Sequence, residues 1–146
     1  MDKSDKSWFP SIRCRAITIT LCTIIFVAIA GCAKPPTREV MQPLAATASD
    51  LARAVMQYAV DNPAEGASLD DRQLVRRATA YAPKLLEPYE NFVVRGTTAG
   101  IILVCSGDGQ ISYIEDAECT DIVDKILWNG ERVPCRFSLD LKEICP

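Results

Sequence analysis

The chain of 146 residues contains no histidine. That removes the commonest general base and the commonest zinc ligand from its chemistry. It has seven cysteines but no Cys-x-x-Cys pair, which excludes the usual spacing of a thiolate zinc site or a redox dithiol. It also lacks Ser-x-x-Lys, Gly-x-Ser-x-Gly and any phosphate-binding glycine loop. Aromatic residues are only 7% of the chain. Carboxylate-pair hydrolysis is the enzyme class that residue type leaves open. A binding or structural role is the stronger expectation, with no cofactor and no metal.

Long hydrophobic runs are scarce, so the one present stands out. Ala16 to Ala30 reads AITITLCTIIFVAIA without a charge, behind Lys3, Lys6, Arg13 and Arg15, which are diluted by Asp2 and Asp5. As a helix those residues rise roughly 22 Å, short of a ~30 Å hydrocarbon core. The run therefore fits the apolar part of an export signal better than a membrane span. It ends in Ile29-Ala30-Gly31-Cys32.

An aliphatic residue, two small residues and a cysteine, in that order behind such a leader, resemble the lipobox of bacterial lipoproteins. The resemblance implies diacylglyceryl attachment at the Cys32 sulfur, cleavage after Gly31 and acylation of the new amino group. Ile29 stands where leucine is commoner. Each buried methylene contributes about 0.8 kcal/mol, so two or three acyl chains (palmitate among them) anchor stably where one is marginal. Ala33 occupies the position where aspartate usually signals inner-membrane retention, which favours the outer membrane. The alternative is an uncleaved signal anchor. A pilin-type leader normally carries a carboxylate just inside its helix, and none occurs between Ala16 and Ala33. The expected organisation is residues 1–31 as signal, 32–37 as lipidated cysteine and tether, and 38–146 as one domain.

Removing four basic and two acidic residues with the signal from totals of 16 and 19 leaves 12 against 17, or −5. An acidic domain without a basic stripe argues against nucleic acid and against docking on anionic head groups. The membrane partner would be met through lipid alone. Cys14 and Cys22 leave with the signal and Cys32 is lipidated, so Cys105, Cys119, Cys135 and Cys145 remain. An even number in an exported domain reads as two disulfides, with three pairings open. Proximity in sequence favours Cys105–Cys119 with Cys135–Cys145.

Pro35 and Pro36 stiffen the tether. From Thr37 to about Asp61, Met41, Leu44, Ala48, Leu51, Val55 and Tyr58 recur at helical spacing. Ser68 is placed to cap a second helix with Leu74, Val75, Ala78 and Tyr81 on its apolar face. Strands are expected at 91–95, 101–105 and 110–115, the last two around the turn Ser106–Gly109. The fully apolar Ile101–Cys105 suits a central strand covered on both faces. A short helix from Thr120 to Trp128 and a strand over Arg132–Leu139 complete the expectation. The fold class is α+β: a helical hairpin on an antiparallel sheet of about four strands, with one short helix and two disulfides.

Two charge clusters are candidate partner-binding sites. Arg72, Arg76 and Arg77 crowd one face of the second helix. Glu115, Asp116 and Glu118, followed by Asp121 and Asp124, form the acidic counterpart. Their spacing does not match a calcium loop. A solvated face is the simpler reading of both clusters. Tyr81 and Tyr89 flank a proline-rich connector and either pack or edge a peptide groove. Three function classes follow: a binding or structural accessory of an envelope complex (secretion, conjugation or outer-membrane assembly), a periplasmic inhibitor of an exogenous hydrolase presenting a rigid loop at Gly96–Gly100 or Ser106–Gly109, and a carboxylate hydrolase.

Overall fold

A computed structural model describes residues 36–145; the signal, the lipobox and Cys32 lie outside the described residues. The helical part comprises α1 (Arg38–Ala46), α2 (Ala48–Asp61), α3 (Pro63–Ser68) and α4 (Asp71–Ala78). Two single 3₁₀ turns, Pro83–Leu85 and Glu87–Tyr89, lead into the sheet. Strands β1 (Val93–Gly96), β2 (Ile101–Cys105), β3 (Ser112–Ala117) and β4 (Lys125–Ile126) form an antiparallel meander in the order β1-β2-β3-β4. A single turn of helix, α5 (Leu141–Ile144), ends the described chain.

The expected first helix is two. Pro43 lies inside α1 and has no N–H to give to the preceding turn, and the helix stops at Thr47. The Thr47 hydroxyl bonds back to the Pro43 and Leu44 carbonyls. Tyr89 then clamps the break: its hydroxyl donates to Leu44 O at 2.7 Å and lies 2.9 Å from Thr47 Oγ1. Burial pushes the Tyr89 phenol up to about 12. The apolar stripe survives the break, because Met41, Leu44, Ala48, Leu51 and Val55 are all buried.

Ser68 ends α3 rather than starting the next helix. The N-cap of α4 is Asp70, whose carboxylate accepts from Arg72 and Gln73 N–H while Gln73 Oε1 accepts from Asp70 N–H. The helix ends at Ala78, so Tyr81 falls beyond it and is 98% exposed instead of packed.

Register divides the sheet residues between two faces. Ile102, Val104 and Ile114 meet α1, α2 and α4 in one apolar core. Gly96 sits where α2 and α4 close on β1; a Cβ there would lie 2.9 Å from Val75 Cγ2 and 3.2 Å from Val55 Cγ1. The opposite face, with Arg95, Leu103, Cys105 and Glu115, is covered by the C-terminal segment 132–145. That double cover makes every residue of β2 buried, as its composition predicts.

The C-terminal segment departs from the sequence expectation. Thr120–Trp128 is not a helix, although Ile122, Val123, Ile126 and Leu127 imitate helical spacing. The open edge of β3 takes Lys125–Ile126 as β4 instead, and Ile122 is 78% exposed. Arg132–Leu139 forms no strand, only one bridge between Ile111 and Pro134. It is a strap, fixed at discrete points.

The disulfides are Cys105–Cys135 and Cys119–Cys145, not the neighbouring pairs. Strand geometry gives the reason. Cys105 lies opposite Ser112 at one end of the β2–β3 ladder, while Cys119 follows Ala117, opposite Ile101, at the other. Four residues of strand separate those ends by about 13 Å, beyond the ~7 Å a disulfide spans between Cα atoms. The strap runs the length of the ladder and is stapled at each end.

Candidate functional site

Between α4, the 3₁₀ turns and β1 lies a groove of about 300 Å³, lined by Arg72, Val75, Arg76, Leu86, Tyr89, Glu90, Phe92, Val93 and Val94. Helical spacing creates its α4 wall: Arg72, Val75 and Arg76 lie on adjacent turns, so the two guanidinium groups flank an apolar centre. The stems of the arginines can lie along apolar surface while their charges stay solvated. The floor comes from Leu86 and Phe92, delivered by Pro83 and Pro88 turning the chain twice. Phe92 is steadied edge-to-face by Tyr113, with ring centroids 6.1 Å apart.

The arginine cluster splits into unlike members. Arg77 faces Glu65 at 3.7 Å, on the far side of α4. Arg72 and Arg76 are exposed and form no ion pair among the described residues. The start of α4 is tied to the sheet through Asp71, which accepts from Arg95 Nε at 2.6 Å. Arg95 also donates to the Cys135 carbonyl at 3.0 Å and lies 5.5 Å from the Phe137 ring centroid. One side chain thereby joins the wall of the groove to the strap.

Next to the groove stands the β2–β3 turn. A Cβ on Gly109 would lie 3.4 Å from the Arg72 guanidinium, and one on Gly107 would lie 2.8 Å from Asn91 O. Gly109 adopts φ +71°, which suits glycine. Ser106 Oγ donates to Asp108 and accepts from Gln110 and Ile111 N–H, bracing the turn internally. That bond holds the Asp108 carboxyl below its ordinary range.

The acidic cluster is split by the fold: Asp121 is exposed and Glu118 and Asp124 are half-buried, while the other two lie inside. Glu115 and Asp116 are completely buried, which corrects the expectation that they contact a partner. Glu115 accepts from Ser138 N–H at 2.6 Å, Ser138 Oγ at 2.6 Å and Leu139 N–H at 3.0 Å, so it pins the centre of the strap. Asp116 lies on the helix face, where Oδ1 accepts from Asp124 N–H at 3.1 Å and Oδ2 has no partner among the described residues. Burial, with the Asp124 charge adding to it, raises the Asp116 carboxyl to about 6. Asp124 caps the chain below by accepting from Ala117 N–H and Thr120 Oγ1. Glu118 lies 3.9 Å from Arg53, at the end of the sheet away from the groove.

A second hollow of about 460 Å³ between α2, α3 and α4 contains two acids, Asp61 and Glu65. Asp61 accepts from Gln57 and Glu65 faces Arg77, so both carboxylates are engaged. The Arg72–Arg76 groove is therefore the candidate site. Sequence pointed to Arg72, Arg76 and Tyr89; Leu86, Phe92, Val93 and Val94 carried no signal, because three separated segments bring them together. Comparison with protein families, curated proteins and solved structures finds no match to this chain.

Proposed function

We propose that this chain is a lipid-anchored protein of the bacterial envelope, facing the periplasm, whose domain holds a partner within an envelope complex. The anchorage rests on Ile29-Ala30-Gly31-Cys32 behind a basic, then apolar, leader. Ala33 in place of aspartate directs it toward the outer membrane. The binding role rests on one observation: an apolar groove flanked by two arginines that form no ion pair among the described residues. Such cations, already exposed, need little desolvation to meet an acidic partner and add orientation and encounter rate.

Photo-reactive residues placed in the full-length protein test this in cells. Replacing Val93 or Glu90 is expected to yield adducts of one defined mass, lost when Cys32→Ser removes the anchor. Replacing the exposed Val60 or Ile122 is expected to yield none. Equal labelling from all four positions would remove the groove from the proposal.

Inhibition of an exogenous hydrolase is the second reading, favoured by the braced turn Ser106–Gly109. It predicts that substitutions at Gly107 or Asp108, rather than at Arg72 and Arg76, abolish binding.

A further inference from the structure

Among the described residues the outer edge of β1 has no strand beside it; the Arg95–Asp71 pair crosses it on the Gly96 side, which leaves Val94 open next to the groove. Thr97 N–H donates to Ile101 O, and the ladder alternates from that pair. Arg95 and Val93 therefore bond to β2, while Val94 and Gly96 direct N–H and C=O outward. Gly96 is buried beneath Val75 and Val55, but Val94 lines the groove. An edge with outward donors and acceptors beside an apolar trough is a template for strand addition.

Charge and spacing narrow the occupant. Arg72 and Arg76 are four residues apart on α4, about 6 Å in rise. Alternate residues of a strand are about 6.8 Å apart. Carboxylates at positions i and i+2 of an added strand match that spacing. The intervening side chains lie alongside Val93. Glu90, at the 3₁₀ end, repels an acid and confines the carboxylates to the α4 wall. A second copy of this chain pairing β1 to β1 would bring its own arginines toward these, so self-pairing is electrostatically opposed.

We infer that the groove captures an extended segment of a partner protein by β-strand addition to Val94, with alternating acidic residues held by Arg72 and Arg76. This deepens the proposed binding role and rests on it.

Random ten-residue peptides displayed on phage and selected against the full-length protein in detergent micelles provide the test. The expected enrichment is Asp or Glu at alternate positions with apolar residues between them. Arg72→Glu with Arg76→Glu should switch the enriched charge to Lys or Arg. The best peptide should slow Val94 amide exchange at least tenfold. Val94→Pro, which removes an outward N–H and leaves the ladder to β2 intact, should weaken that peptide at least tenfold, and Val94→Ile should not. Apolar residues enriched at three- and four-residue steps would indicate a helical occupant and overturn the inference. So would no enrichment, unchanged charge preference in the double variant, or dimers that the peptide does not dissociate. The selection reads only the domain, so failure of lipidation leaves it unaffected. A failed selection leaves the cellular adducts to stand by themselves.

Discussion

The two faces of the sheet are held by different physics. On one face, α1, α2 and α4 bury Met41, Leu44, Leu51, Val55, Leu74 and Val75 against Ile102, Val104 and Ile114. On the other, a strap with little regular structure is fixed by two disulfides, three hydrogen bonds to Glu115 and the reach of Arg95 to Cys135. Burial of apolar area is non-directional and tolerates small shifts, whereas the strap depends on a few directional points. The helix face should therefore lose stability gradually with substitution, and the strap face abruptly.

Removing the disulfides should have the largest effect. Their sequence separations are 30 and 26 residues, and loops of that size contribute about 3.5 kcal/mol each in the chain-entropy model. Denaturant unfolding with and without reductant should show a loss of unfolding free energy of that order per bond. Glu115→Ala should follow, at about 3 kcal/mol, because it leaves the Ser138 and Leu139 amides without acceptors. Amide exchange should accelerate first in the strap and only later in α2. Equal acceleration in both would erase the distinction between the faces.

Asp116 sharpens the comparison from the helix side. Its carboxyl is raised in the folded state to about 6, so the folded protein holds a proton more tightly than the unfolded chain. Stability should consequently fall as pH rises from about 4 to about 6 and level off above. Asp116→Asn should be more stable than the parent at pH 7 by roughly 2–3 kcal/mol, with the gap closing near pH 4. Thermal midpoints across that range read it directly. Gly96→Ala forces a methyl to within 2.9 Å of Val75 and should cost about 1–3 kcal/mol. The smallest effect is expected from Asp70→Ala, which removes the cap of α4 for about 1 kcal/mol and loosens the groove wall.

The same contrast decides what could be read in advance. Met41 through Val55 declared their helical face because apolar burial writes a period into sequence, and Pro43 interrupted the helix without moving the stripe. Ile101–Cys105 declared a central strand for the same reason. The strap writes no period. Ile122 and Ile126 imitated a helix that the open edge of β3 overrode, and Cys105 paired with Cys135 of the strap, a proximity that only the folded chain creates. Glu115 looked like surface charge because its partners, Ser138 and Leu139, stand more than twenty residues away and offer backbone amides. The groove was half visible: Arg72 and Arg76 from helix spacing, its floor only from the fold.

The most direct measurement is the intact mass of the protein extracted from membranes. The account predicts a chain beginning at Cys32, heavier than its amino acids by a diacylglyceryl group and an amide-linked acyl chain. A full-length, unmodified chain beginning at Met1 would contradict it.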